Sequence, residues 1–263
     1  MNHSNLDTCA IAVMAKAPQP GRCKTRLVPP LTPQQAAALS AAFLRDITEN
    51  IAAAGRITAI QGYIAYAPLG LEALFDGHIA DGTGLVLADG SSDMQGHVQG
   101  FGRCLLHAIQ SLLASGYGSA CVLNSDSPTL PTSILTQTAK LLSRPGDRAV
   151  LGPADDGGYY LLGLKAAHAH LFEDIAWSTE SVAERTALRA REIGLELVTL
   201  PTWYDVDDAA SLYRLIDSLD DAASTDNAAL MPFAAPATAA CLGTLGLSLD
   251  ALTERSRDVL YEA

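Results

Sequence analysis

The chain has 263 residues, 49% of them apolar and 17% charged, a composition that builds a core and argues against disorder. Its formal charge is −12, from 17 Lys and Arg against 29 Asp and Glu, which disfavours nucleic acid and anionic membrane surfaces as partners. No apolar run approaches the ~20 residues of a membrane span, the opening MNHSNLDTCA lacks a signal-peptide pattern, and the five cysteines show no C-x-x-C spacing, so a reduced, cytoplasmic setting is expected.

Residues 9–15 (CAIAVMA) are continuously apolar, as expected of a strand buried on both faces. The following loop places Lys16, Arg22, Lys24 and Arg26, four of the 17 basic residues, within 11 positions, and no Asp or Glu occurs from Thr8 to Arg45. Pro18, Pro20 and Gly21 shape it as a turn. In an acidic chain this local reversal of sign calls for an anionic partner, and Gly21 would let backbone N–H groups approach a polyphosphate. A solvated basic loop paired with nearby carboxylates is the plain alternative. The loop is not a Walker A motif, which would require glycine at Pro18 and Cys23, and the chain has no G-x-G-x-x-G. Thr32 then reads as the N-cap of a helix, with Pro33 in its first turn and Gln35 closing a capping box; the helix runs to about Ala54 and stops at Gly55.

Strands are expected at 57–66, 85–88, 119–124, 148–152, 158–164 and 195–200. Helices are expected at 98–114, 131–142, 180–192 and 208–219, with a short one at 71–75. Such alternation requires a mostly parallel sheet covered on both faces, with ligands at the carboxyl ends of the strands. Asp126 follows one strand directly, in VLNSDSP, and Asp205, Asp207 and Asp208 follow another, in WYDVDD. Carboxylates on the same rim as a basic loop suit a hard divalent ion, which takes one or two of them and fills its shell with phosphate oxygens. The alternative for each is a cap or turn role. Asp155-Asp156-Gly157-Gly158 reads as a hairpin turn whose tip would line the same rim. Trp177-Ser178-Thr179 reads as a ligand loop or a helix N-terminus capped by Ser178 or Thr179. His168 and His170 have H-x-H spacing but no evident third ligand. Residues 1–219 are expected to form the main domain, and 220–263 an Ala-rich linker and C-terminal tail with one helix at 247–260.

Five segments in order, AKAPQPGRCKTRL, NSDSPTLP, LGPADDGGYYLLGL, IAWST and DVDDAASL, resemble the radical-SAM/selenodomain-associated transferases of type 1. That family lies in the nucleotide-diphospho-sugar transferase superfamily, with the GT-A fold. The resemblance implies a three-layer α/β/α architecture with a mixed, mostly parallel sheet. It implies a nucleotide bound over the first strand's loop, by Ala15, Lys16, Ala17, Gly21, Arg22 and Lys24, with Gly157 and Gly158. It assigns Asp126 and Asp207 to Mg²⁺ or Mn²⁺, Asp208 standing where the family's motif has threonine. The expected activity is nucleotidyl transfer from a nucleoside triphosphate to a phosphate or hydroxyl oxygen of a small-molecule acceptor, with Lys24 and Arg26 stabilising the pyrophosphate that leaves. The alternatives are glycosyl transfer from a nucleotide sugar, with Asp156 as general base, and nucleotide binding without catalysis. Assembly as a homo-oligomer is compatible with all three.

Overall fold

In the computed structural model, residues 5–91, 97–220 and 230–247 are described. β1 (Cys9–Met14) is the central strand. It pairs in parallel with β2 (Ile60–Tyr66) and β4 (Ser119–Leu123), and β2 carries β3 (Gly84–Leu87) on its far side, also parallel. β5 (Arg148–Pro153) and β6 (Tyr159–Leu164) form the expected hairpin, and β7 (Glu196–Thr199) runs parallel to β5. The sheet order is β3-β2-β1-β4-β6-β5-β7. Among the described strands only β6 opposes its neighbours, so the sheet is mixed but largely parallel, as expected.

Alternate residues of β1 feed two cores, as the period of two requires. Cys9, Ile11 and Val13 join a core with α1 (Pro33–Gly55), α3 (Thr132–Leu142), α5 (Ala209–Asp220) and α6 (Pro236–Thr244). Ala10 and Ala12 face the other side, where their small side chains receive α2 (Phe101–Ala114). α4 (Val182–Glu192) contacts β5 and β7. The first long helix begins as read: the Thr32 side chain accepts from the Gln35 amide at 3.2 Å, and the Gln35 side chain accepts from the Thr32 amide at 2.9 Å.

Several boundaries differ from the expectation for local reasons. β2 starts at Ile60 because the Ile57 and Thr58 amides both bond to the Ala54 carbonyl and prolong the end of α1. α2 starts at Phe101, after Gly100 at φ +55 turns the chain and Val98 bridges to Glu173. Short 3₁₀ turns at Asn5–Asp7 and Ala169–Phe172 carry no sequence period and are not legible. From Pro236, near the end of the stretch without period, α6 forms and packs on α1, burying Thr238 and Leu242. The helix expected at 247–260 lies almost wholly outside the described residues. No helix among the described residues is long and apolar enough to cross a membrane.

α6 is fastened by a buried charge. Asp46 of α1 is 1% exposed, and its carboxylate oxygens accept from the Ala237 and Thr238 amides at 2.9 and 2.6 Å, at the helix's N-terminus. Burial pushes this carboxyl up, and the two amides pull it back. Asp46→Ala strips both donors of their acceptor and is expected to cost about 1.5–3 kcal/mol, the range for hydrogen bonds to charged groups. The urea midpoint of the full chain measures it, and an unchanged midpoint would mean α6 holds by its apolar face alone.

Candidate active-site cleft

The loops after β1, β4, β5 and β7 all open on one rim, because those strands run the same way. The loop after β1 turns inward at Lys24, which sits in the left-handed region at φ 48, a conformation few non-glycine residues adopt without tertiary support. The support is visible. The Lys24 side chain is 6% exposed, and its ammonium donates to the Asp126 carboxylate and, at 2.7 Å, to the Val206 carbonyl. It lies 3.4 Å from Asp207 Oδ1 and 5.1 Å from the centre of the Phe43 ring. The Val206 amide in turn donates to the Asp126 carbonyl at 2.8 Å. Two aspartates 81 positions apart thus meet through one lysine of the basic loop.

The hairpin is held just as firmly. Gly157 has φ +87, and a Cβ there would lie 2.1 Å from the Glu180 carbonyl oxygen, so only glycine fits. Its own carbonyl accepts from the Ala183 amide at 3.0 Å, in the first turn of α4. The hairpin tip and the segment before α4 therefore form one wall.

Two connected cavities occupy the rim. One, about 420 Å³, is bordered by Ala15, Lys16, Arg22, Lys24, Arg26 and Asp126, all expected from the sequence. The other, about 560 Å³, is bordered by Asp156 and Gly158, again expected, and by Asp205, Tyr159 and Trp177. Arg26, Phe101 and Asp207 border both. Three residues expected at the site border neither cavity: Ala17 is 4% exposed within the core, Gly21 makes a turn at φ +73, and Gly157 is spent on the wall.

Other candidates find local partners. Asp208 Oδ1 accepts from the Ser211 amide at 2.8 Å, the capping role weighed for it at the start of α5. Asp155 pairs with Arg214. His168 contacts Asp147 at 2.7 Å, and His170 contacts Glu173 and Glu192 at 2.8 and 2.7 Å. The residue before α4 is Ser181; Ser178, at φ +64, borders the larger cavity instead. The aromatic wall of Phe101, Tyr159 and Trp177 is not legible in the sequence. Gly102 builds it: a Cβ there would lie 2.7 Å from the Trp177 indole, so the first turn of α2 lies flush on that ring. Phe101 then meets Trp177 edge-on at 5.8 Å, and Tyr159 meets it at 6.5 Å.

The electrostatics are set by crowding. Asp205 is pushed up to about 7, first by burial and then by the carboxylates of Asp156, Asp207 and Asp126. Burial and Asp126 also raise Asp207, against the opposing pull of Lys24 and Arg26. The all-oxygen donor set of Asp126 and Asp207, held here by the Lys24 ammonium, fits a hard divalent ion such as Mg²⁺ or Mn²⁺. Among the described residues no three His, Cys, Asp or Glu side chains are grouped to hold a metal alone. Ligand oxygens would have to complete its shell.

The raised Asp205 has a consequence for the ligand-free protein. An acid whose folded pKa exceeds its unfolded value favours folding at low pH, and the penalty for ionising it grows as pH rises from about 4 to about 7. Asp205→Asn is therefore expected to raise the melting temperature at pH 8 and to lose that advantage progressively towards pH 5. Thermal melts across that range check it; a difference independent of pH would mean the site does not strain Asp205.

Comparison with known proteins agrees with the architecture. The family described as "Uncharacterized protein conserved in bacteria (DUF2064)" matches residues 50–179, a segment that holds Asp126, Asp156 and Trp177 but not the basic loop or Asp207. No curated protein matches the chain in sequence. Among solved structures, the chain is similar to a protein from Desulfovibrio desulfuricans G20 provisionally described as a nucleotide-diphospho-sugar transferase. The TM-score is 0.73 at 25% identity, over 92% of this chain and 99% of that one. A weaker likeness is to 4-diphosphocytidyl-2C-methyl-D-erythritol synthase from Anaerococcus prevotii DSM 20548, with TM-score 0.49 at 8% identity, over 84% and 100% of the two chains. The fold is thus an α/β fold of the nucleotide-diphospho-sugar transferase type.

Proposed function

We propose that the chain is a metal-dependent nucleotidyltransferase that moves a nucleoside monophosphate from a triphosphate to an acceptor oxygen. The observation that carries this reading is Lys24: one ammonium of the basic loop gathers Asp126 and Asp207 at the mouth of a cavity large enough for a nucleotide. A cation-rich loop and two carboxylates in one cleft are what a magnesium-triphosphate needs. Asp126 and Asp207 would hold Mg²⁺ or Mn²⁺, which when bound neutralises charge on the phosphates. Lys16, Arg22, Lys24 and Arg26 would bind the triphosphate and stabilise the pyrophosphate as it departs. In the step, the acceptor oxygen bonds to the α-phosphorus, the bond from that phosphorus to the bridging oxygen of the β-phosphate breaks, and the acceptor proton passes to solvent.

The likeness to the Desulfovibrio desulfuricans protein favours a second reading, glycosyl transfer from a nucleotide sugar, with Asp156 in the larger cavity taking the acceptor proton. The released product separates the two. We expect nucleoside triphosphates with Mg²⁺ to raise the melting temperature, and pyrophosphate to appear once an acceptor is supplied. Release of nucleoside diphosphate from a nucleotide sugar would select the second reading. Stabilisation by nucleotide with neither product, across a broad acceptor panel, would leave a binding protein.

A further inference from the structure

The larger cavity has a lining of its own, distinct from that of the smaller one. Its wall of Phe101, Tyr159 and Trp177 is preformed, and Phe101 is 50% exposed at the boundary with the nucleotide cavity. A half-exposed aromatic fixed between two cavities, by a glycine turn on one side and an indole on the other, offers a face for a ligand to cover.

Charge narrows the ligand class. Among the described residues lining this cavity, Arg26 is the single cation, and it also borders the nucleotide cavity. Asp155 is paired with Arg214 and Asp208 is committed to Ser211. Asp156 accepts from the Gly158 amide, and Asp207 would be shared between Lys24 and the metal, which leaves Glu180 and Asp205 with no cation beyond Arg26, a residue the nucleotide's phosphates would engage. A phosphate group entering here would meet carboxylates without a counter-charge. Hydroxyl or amine groups would find acceptors, and the aromatic wall would cover a CH face or a cation.

We propose that the larger cavity is the acceptor site, and that it selects small hydroxyl- or amine-bearing molecules without phosphate. This rests on the nucleotide-transfer reading, which fixes the smaller cavity as the donor site.

The test uses matched probes on the full chain: glucosamine against glucosamine 6-phosphate, and ethanolamine against phosphoethanolamine. Binding is followed by tryptophan emission, since Trp177 lines the cavity. The unphosphorylated member of each pair is expected to bind at least roughly tenfold more tightly, a factor worth about 1.4 kcal/mol. Glu180→Lys should shrink that ratio at least threefold, and Phe101→Ala should weaken both unphosphorylated probes. Equal or tighter binding of the phosphorylated members, or no binding by any probe, overturns the proposal. Nucleotide stabilisation is measured on the same samples, without acceptor. If nucleotides stabilise the protein and the probes fail, the acceptor inference falls alone; if nucleotides do not, the donor reading falls.

Discussion

Replacing Lys24 by alanine is expected to lower nucleotide turnover by roughly 10²–10³, the usual effect of deleting one preorganised group aimed at developing charge. The same change should weaken triphosphate binding far more than nucleoside binding, because in the proposed complex the ammonium would meet phosphate and not base. Equal losses for the two ligands would contradict the phosphate role. A structural effect should accompany the functional one. Without the ammonium, Asp126 and Asp207 would face each other with only Arg26 as a nearby counter-charge, and the Val206 carbonyl would lose its donor. Because both carboxylates keep some water, at 27% and 42% exposure, the stability cost should be modest, about 1–2 kcal/mol. Chemical denaturation measures that cost separately from the kinetics.

Asp126→Asn should produce a loss of similar size through a different route. The asparagine keeps the shape, and the main-chain bond from the Val206 amide to the carbonyl of residue 126 stays, so the circular dichroism spectrum should match the native one. What disappears is the carboxylate charge. Metal-dependent stabilisation by nucleoside triphosphates should vanish in this variant, while any metal-independent nucleoside binding persists. Undiminished Mg²⁺-dependent stabilisation would remove Asp126 from the site. The two variants are also distinguishable from each other. Lys24→Ala retains both carboxylates and should still respond to metal, whereas Asp126→Asn should not.

The two halves of the site differ in how far they can be read before folding. The basic loop and the aspartates that follow strands are legible because strand periodicity, the Pro-Gly turn and the rule that ligands gather at carboxyl ends are local or topological signals. The aromatic wall gives no such signal. Phe101 opens a helix, Tyr159 opens a strand and Trp177 lies in a loop, and only packing over Gly102 brings the three rings together. Asp205 could be weighed as a metal ligand from WYDVDD, but its carboxyl rises only because burial and three other carboxylates share one cleft. The helix α6, at the end of the stretch read as linker, is hidden for a related reason. The apolar and small residues of α6 show no amphipathic period, and the helix is secured by a buried aspartate contributed by α1.

The amino-acid order alone dictated the order of the strands and of the helices through α5, the capped start of α1 and the clustering of positive charge after β1, since each depends on neighbours a few positions away. Folding decided that Lys24 turns inward to join Asp126 and Asp207, 102 and 183 positions away, and that the cleft divides into a cationic and an acidic chamber. Distances across the chain, and the desolvation that follows from them, are properties of the packed sheet and its helices, and no local pattern encodes them.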